Sequence, residues 1–161
     1  MEKRFTTFEE LVALAPKHVR AELMRLKTYE ENSDYHPEDN TYEHIKIVVN
    51  RLITTGDIDL IMSGLYHDVG KLIAAQTTQA KTGKFRAFGH EFVGAKWVKR
   101  DKDFIESMGA DIDVVVEIVS NHMKMKQMSK MKSKKQNIVK ALPAYGKLCI
   151  FTRADNMLEE F

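Results

Sequence analysis

Apolar residues along the chain recur mainly at helical spacing. Phe8, Leu11, Val12 and Leu14 form a short apolar stripe that Thr6 or Thr7 caps. A second helix starts at Pro16 and carries Val19, Leu23, Met24 and Leu26 on one face. The polar segment 31–40, which contains Pro37, reads as a loop. Thr41 then caps a helix with Ile45, Val48, Val49, Leu52 and Ile53 at helical spacing, and Gly56 ends it. Asp57 begins the next helix, whose Leu60, Ile61, Gly64 and Leu65 lead into His67 and Asp68. Residues 76–88 are polar and basic and read as a loop, after which Gly89 opens a helix through Val93, Trp97 and Val98.

The β-branched run at 112–122 fits a strand taken alone. Ile112, Val115, Val116, Val119 and His122 nevertheless share one helical face, and no partner strand is apparent, so it is assigned as a helix. Residues 123–135 are a lysine–methionine tract, and 144–160 read as a last helix with Leu148, Ile150, Phe151, Ala154, Met157 and Leu158. No repeat and no linker divides the chain. The expectation is an all-α bundle, one domain over residues 1–161.

Composition narrows the function classes. The chain is 43% hydrophobic and 30% charged, as a soluble globular protein is. Its one cysteine, Cys149, allows no intrachain disulfide and fits a reducing compartment. The first residues hold no apolar signal core and no stretch is long enough to span a bilayer, so the expected location is the cytoplasm. No G-x-S-x-G elbow, Walker loop or G-x-G-x-x-G motif is present, and Cys149 lies within an apolar helix face.

The chemistry-bearing residues are histidines and acids. Of six histidines, His44, His67, His90 and His122 stand at apolar-flanked or helix-end positions. His18 lies on a polar face and reads as structural, while His36 lies in the loop before the His44 helix, near enough to face the same cleft. The adjacent pair His67-Asp68 offers an imidazole and a carboxylate from one point of the backbone, both suited to divalent metals. A carboxylate can also bridge two ions about 3.5–4 Å apart, and such a pair activates water against a phosphate without a serine or cysteine nucleophile.

Taken in order, these residues resemble the HD superfamily of metal-dependent phosphohydrolases. His44 matches its first histidine in Tyr42-Glu-His-Ile, and His67-Asp68 its paired motif in Leu65-Tyr-His-Asp-Val-Gly-Lys71. His90 matches a histidine in Phe88-Gly-His-Glu91, His122 one in Val119-Ser-Asn-His-Met123, and Asp155 the last ligand in Thr152-Arg-Ala-Asp-Asn156. The resemblance spans about residues 35–157. It is nearest to the HD domain attached to tRNA nucleotidyltransferases (CCA-adding enzymes), which have similar His-Pro-Glu and Gly-His-Glu segments, here His36-Pro-Glu38 and Gly89-His-Glu91. The chain has no nucleotidyltransferase domain, so the resemblance carries the reaction type and not a role in tRNA maturation.

The resemblance implies that His44, His67, Asp68 and Asp155 hold one metal, and that His90 and His122 with a bridging Asp68 hold a second. Mn, Ni, Co, Fe or Zn suits these ligands better than Mg. It also implies a catalytic role for Asp68 and a phosphate-facing role for Lys71, with Arg153 as a weaker phosphate contact. The six lysines of 123–135, among them Lys124 and Lys126, directly follow His122 and suit a polyanionic substrate or a nucleic acid, as do Lys81, Lys84 and Arg86. The expected substrate is a phosphoester of a nucleotide or RNA end: a 2′,3′-cyclic phosphate, a nucleotide or another phosphomonoester. The alternatives are a deoxynucleotide, (p)ppGpp or cyclic signalling-nucleotide hydrolase, and a non-catalytic nucleic-acid-binding or regulatory module.

Overall fold

The computed structural model describes residues 5–29 and 40–161; the segment 31–40, with His36, lies outside the described residues except for Asn40. Every regular element described is helical. They are α1 (Phe8–Leu14), α2 (Lys17–Leu26), α3 (Thr41–Ile53), α4 (Ile58–Tyr66), α5 (Lys71–Thr82), α6 (His90–Arg100), α7 (Lys102–Ser107), α8 (Ile112–Lys126), a 3₁₀ turn (Met128–Lys130), α9 (Ser133–Lys140) and α10 (Tyr145–Asp155). None is long and apolar enough to cross a membrane.

Local chemistry sets the starts and stops. The Thr7 side chain accepts from the Glu10 N–H, and Asp57 and Asp111 accept from the second and third N–H groups of α4 and α8. The α3 cap is Asn40, which accepts from the Glu43 N–H. Thr41 is instead the first helical residue and is fully buried. Gly89, at φ 79°, opens α6.

α8 is the central element and packs against α6, α4 and α10, while α3 packs on α4. Val115, Ile118 and Val119 fill the core from α8, so the β-branched run is a helix because one of its faces has three helices to bury against. Leu60, Met62 and Leu65 of α4, Ile45, Val48, Val49 and Leu52 of α3, and Leu148 and Phe151 of α10 complete the centre.

Several boundaries differ from the sequence expectation. The loop expected from residue 76 begins only after Thr82, because α5 runs on until Gly83 adopts φ 78° and closes it. α5 buries Ala74, Ala75 and Thr78, residues too small to give an apolar period. Met24 is exposed, since Val19, Leu23 and Leu26 already form the buried stripe of α2. The last helix stops at Asp155 and leaves Leu158 exposed. α7 and α9 had no counterpart in the apolar pattern. In the lysine tract, α8 continues to Lys126, and the Gln136 side chain then donates to the Met128 and Met131 carbonyls at 2.8 and 3.1 Å.

Candidate metal centre

Close backbone packing brings the ligand-bearing helices together. A Cβ on Gly64 would lie 3.0 Å from Leu52 Cδ1, so α4 runs tight against α3 and sets His67 beside His44. A Cβ on Gly70 would lie 2.6 Å from Val93 and 3.0 Å from the His90 carbonyl, so the turn after His67-Asp68 sits directly on α6. A Cβ on Gly94 would lie 2.7 Å from the Tyr66 carbonyl and 3.1 Å from Val119, so α6 is wedged between α4 and α8.

His44, His67, Asp68, His90, His122 and Asp155 are all buried and converge. Asp68 lies at the centre: its Oδ1 faces His90 Nε2 at 3.1 Å and His122 Nε2 at 3.4 Å. Its Oδ2 faces His67 Nε2 at 3.2 Å and His44 Nε2 at 3.6 Å. Asp155 closes the His44 side, with Oδ1 at 2.8 Å from His44 Nε2 and 3.2 Å from His67 Nε2. Phe151 packs edge-on against His67 and His122 and makes an apolar wall.

Three of the imidazoles are aimed by their other nitrogen. Nδ1 of His67, His90 and His122 lies 2.8, 3.0 and 2.7 Å from the carbonyl three residues earlier, of Gly64, Ala87 and Val119. A carbonyl only accepts, so each Nδ1 carries the proton and donates it; each Nε2 of a neutral ring therefore presents a lone pair inward. Yet Nε2 of His90 lies 3.2 Å from Nε2 of His122, and Nε2 of His67 lies 3.3 Å from Nε2 of His44. Lone pairs facing each other at that distance need a cation among them. The donor atoms fall into two groups that each fit a metal ion, His44–His67–Asp68 and Asp68–His90–His122, with all atoms of a group within 4.8 Å of one another. Nitrogen and carboxylate donors of this kind fit a divalent transition metal.

In the metal-free cluster a proton supplies part of that positive charge. Burial alone pushes His67 down, but the Asp68 and Asp155 carboxylates outweigh it and hold the imidazolium up to about 10. Burial would raise Asp68 and Asp155; His67 with Lys71, and His67 with His44 and Lys126, instead hold the two carboxyls well below the usual range. His122 is pushed down, chiefly by burial.

The sign of a pH effect follows. Because the folded His67 value lies above the ordinary 6.5, its contribution to metal-free stability is complete below pH 6.5 and lost as pH rises through about 10. Metal must displace the same proton, so apparent affinity is expected to rise up to about tenfold per pH unit between neutrality and that value. Calorimetry in buffers of different ionisation enthalpy checks this, with about one proton released as the His44–His67 side fills.

Other residues singled out in the sequence divide sharply. The Lys71 side chain is 3% exposed, with Nζ 3.5 Å from Asp68 Oδ2. Lys126, one helical turn after His122, is 4% exposed, with Nζ 3.3 Å from Asp155 Oδ2. Lys124 and Arg153 are exposed, each about 200° around its helix from a ligand two residues away, so neither joins the cluster. His18 holds the buried Asp101 carboxylate at 2.8 Å, and Tyr66 donates to the same carboxylate at 2.7 Å, which ties α2, α4 and the start of α7 together. That structural triad escaped the sequence reading because nothing local to Asp101 marks it.

A sequence profile of the HD domain matches residues 41–156, well over half of the chain and all six converging residues. No curated protein and no solved structure matches it.

Proposed function

The chain belongs to the HD-domain family of metal-dependent phosphohydrolases, and on that premise we propose that it hydrolyses a phosphoester of a nucleotide or an RNA end. The observation that carries the proposal is Asp68, whose two oxygens address two separate histidine pairs. We assign His44, His67, Asp68 and Asp155 to one metal ion and Asp68, His90 and His122 to a second. A divalent ion at such a centre makes water nucleophilic at neutral pH and draws charge from phosphoryl oxygens.

The chain's own residues supply the rest. Asp68 fixes the spacing of the two histidine pairs. The Nδ1–H donors on Gly64, Ala87 and Val119 keep the rings from rotating, so the centre is formed before substrate arrives. The Lys71 ammonium, beside Asp68 and out of bulk water, is placed to offset charge that builds on a phosphoryl group. Phe151 keeps the floor of the centre apolar and strengthens each of these interactions.

The nucleotide or RNA end is the choice favoured by the resemblance to the HD domains of tRNA nucleotidyltransferases. One structural feature supports a polyanionic form of it. Gln127, Lys130, Met131, Lys132 and Lys135 line an open cleft of about 540 Å³ without an acid among them, and it begins one residue beyond Lys126. The Gln136 bonds hold its wall in place. A phosphodiester backbone fits such a cleft by charge. We therefore rank a short RNA above a free mononucleotide, with deoxynucleotides, (p)ppGpp and cyclic signalling nucleotides behind both.

The test is product release from 2′,3′-cyclic nucleotides, 2′- and 3′-nucleotides, dNTPs and short RNAs, each with Mn, Ni, Co or Mg. Turnover that needs metal, favours RNA ends or nucleotides with a terminal phosphoester, and weakens for RNA when Lys130, Lys132 and Lys135 become glutamine is the expected result. Absence of turnover on every member by folded, metal-loaded protein would leave the non-catalytic binding module as the better account.

A further inference from the structure

We propose that Lys126 is a built-in anion-binding residue of the centre, one that gives up metal affinity to hold the phosphoryl group; the inference rests on the phosphohydrolase reading above. Of the six lysines in 123–135, Lys126 stands four residues after His122, and side chains four apart on a helix share a face. Its neighbour Lys124, two residues after His122, is exposed. The turn of the helix therefore brings Lys126 to the metal ligands and leaves Lys124 in water.

Two roles are open to a lysine placed there, and they predict opposite signs. It could aim Asp155 as a ligand, or it could set the charge of the centre. Asp155 Oδ1 is already held by His44 at 2.8 Å and His67 at 3.2 Å, so the carboxylate is aimed without help from Lys126. Lys126 takes the other oxygen at 3.3 Å, longer than the roughly 2.7–2.9 Å of a tight charge-assisted bond. An ammonium held that loosely can turn toward a second anion with little loss.

Charge makes the same choice. Asp68 and Asp155 bring two negative charges, and Lys71 and Lys126 bring two positive ones. The four groups alone are neutral, so any divalent ion that enters leaves the centre positive. Like charges repel strongly where water is excluded, so Lys126 weakens the hold on metal. The surplus positive charge draws an oxyanion for the same reason.

The experiment compares Lys126→Met with Lys126→Arg, and uses Lys124→Met as the control from the same turn. Two dissociation constants are read: Ni²⁺ by chelator competition, and inorganic phosphate on the Ni²⁺-loaded protein by calorimetry. Lys126→Met is expected to tighten metal binding at least about fivefold and to weaken phosphate binding at least about tenfold. Lys126→Arg and Lys124→Met are expected to stay near wild type in both. Weaker metal binding in Lys126→Met would show a ligand-aiming role instead and overturn the proposal, as would unchanged phosphate affinity. If Lys126→Met fails to fold without metal, Lys126→Gln is read in the same way. Neither readout needs turnover, so failure of the hydrolase reading is seen separately, in the substrate panel.

Discussion

Asp68→Asn is expected to lower kcat/KM at least about 10³-fold while leaving the helical fold in place. Asparagine keeps the size of the side chain but offers one acceptor oxygen and one NH₂ group. Whichever way it sits, one of the two histidine pairs faces a donor instead of a ligand, because Oδ1 serves His90 and His122 while Oδ2 serves His67 and His44. Stabilisation of transition-state charge by metal is worth several kcal/mol, and each ~1.4 kcal/mol is about tenfold in rate. Steady-state kinetics at saturating metal, with circular dichroism as the folding control, measures the loss. The variant is also expected to bind fewer ions per chain.

Gly94→Ala carries the largest expected effect on the scaffold. The added methyl would stand 2.7 Å from the Tyr66 carbonyl, which cannot move without carrying the adjacent His67-Asp68 turn with it. Val119 at 3.1 Å blocks the other side. Relief requires α6 to shift, and α6 carries His90. A loss of about 2–3 kcal/mol in unfolding free energy is expected, together with weaker metal binding on the His90–His122 side. The control is Gly146→Ala in α10, where nothing lies within 4 Å of the new methyl. That change is expected to stabilise by about 0.5–1 kcal/mol, the ordinary gain of alanine over glycine in a helix. Chemical denaturation of both variants reads the opposite signs.

The converging residues were legible in the sequence because each stands on, or at the end of, a helix with a strong apolar period. Val48, Val49 and Leu52 mark α3 around His44, and Leu60, Ile61 and Leu65 lead to His67. The extent of α5 was not legible, since Ala74, Ala75 and Thr78 bury a face without looking hydrophobic and only the backbone of Gly83 marks the end. Lys126 was hidden by composition: six lysines in thirteen residues read as a solvated tract, and only the continuation of α8 past His122 separates Lys126 from its neighbours. Arg153 shows the converse. It stands two residues before Asp155, so the helix that buries the acid turns the arginine outward. His18, read as structural, is structural, though its partner Asp101 lies 83 residues away, where no local pattern could find it.

The centre itself is tested most directly by anomalous diffraction from crystals of Mn- or Zn-loaded protein. The account predicts peaks at the His/Asp cluster, one among His44, His67, Asp68 and Asp155 and a second among Asp68, His90 and His122. A fully loaded crystal with no peak at Asp68, or with metal only at surface residues, would contradict it.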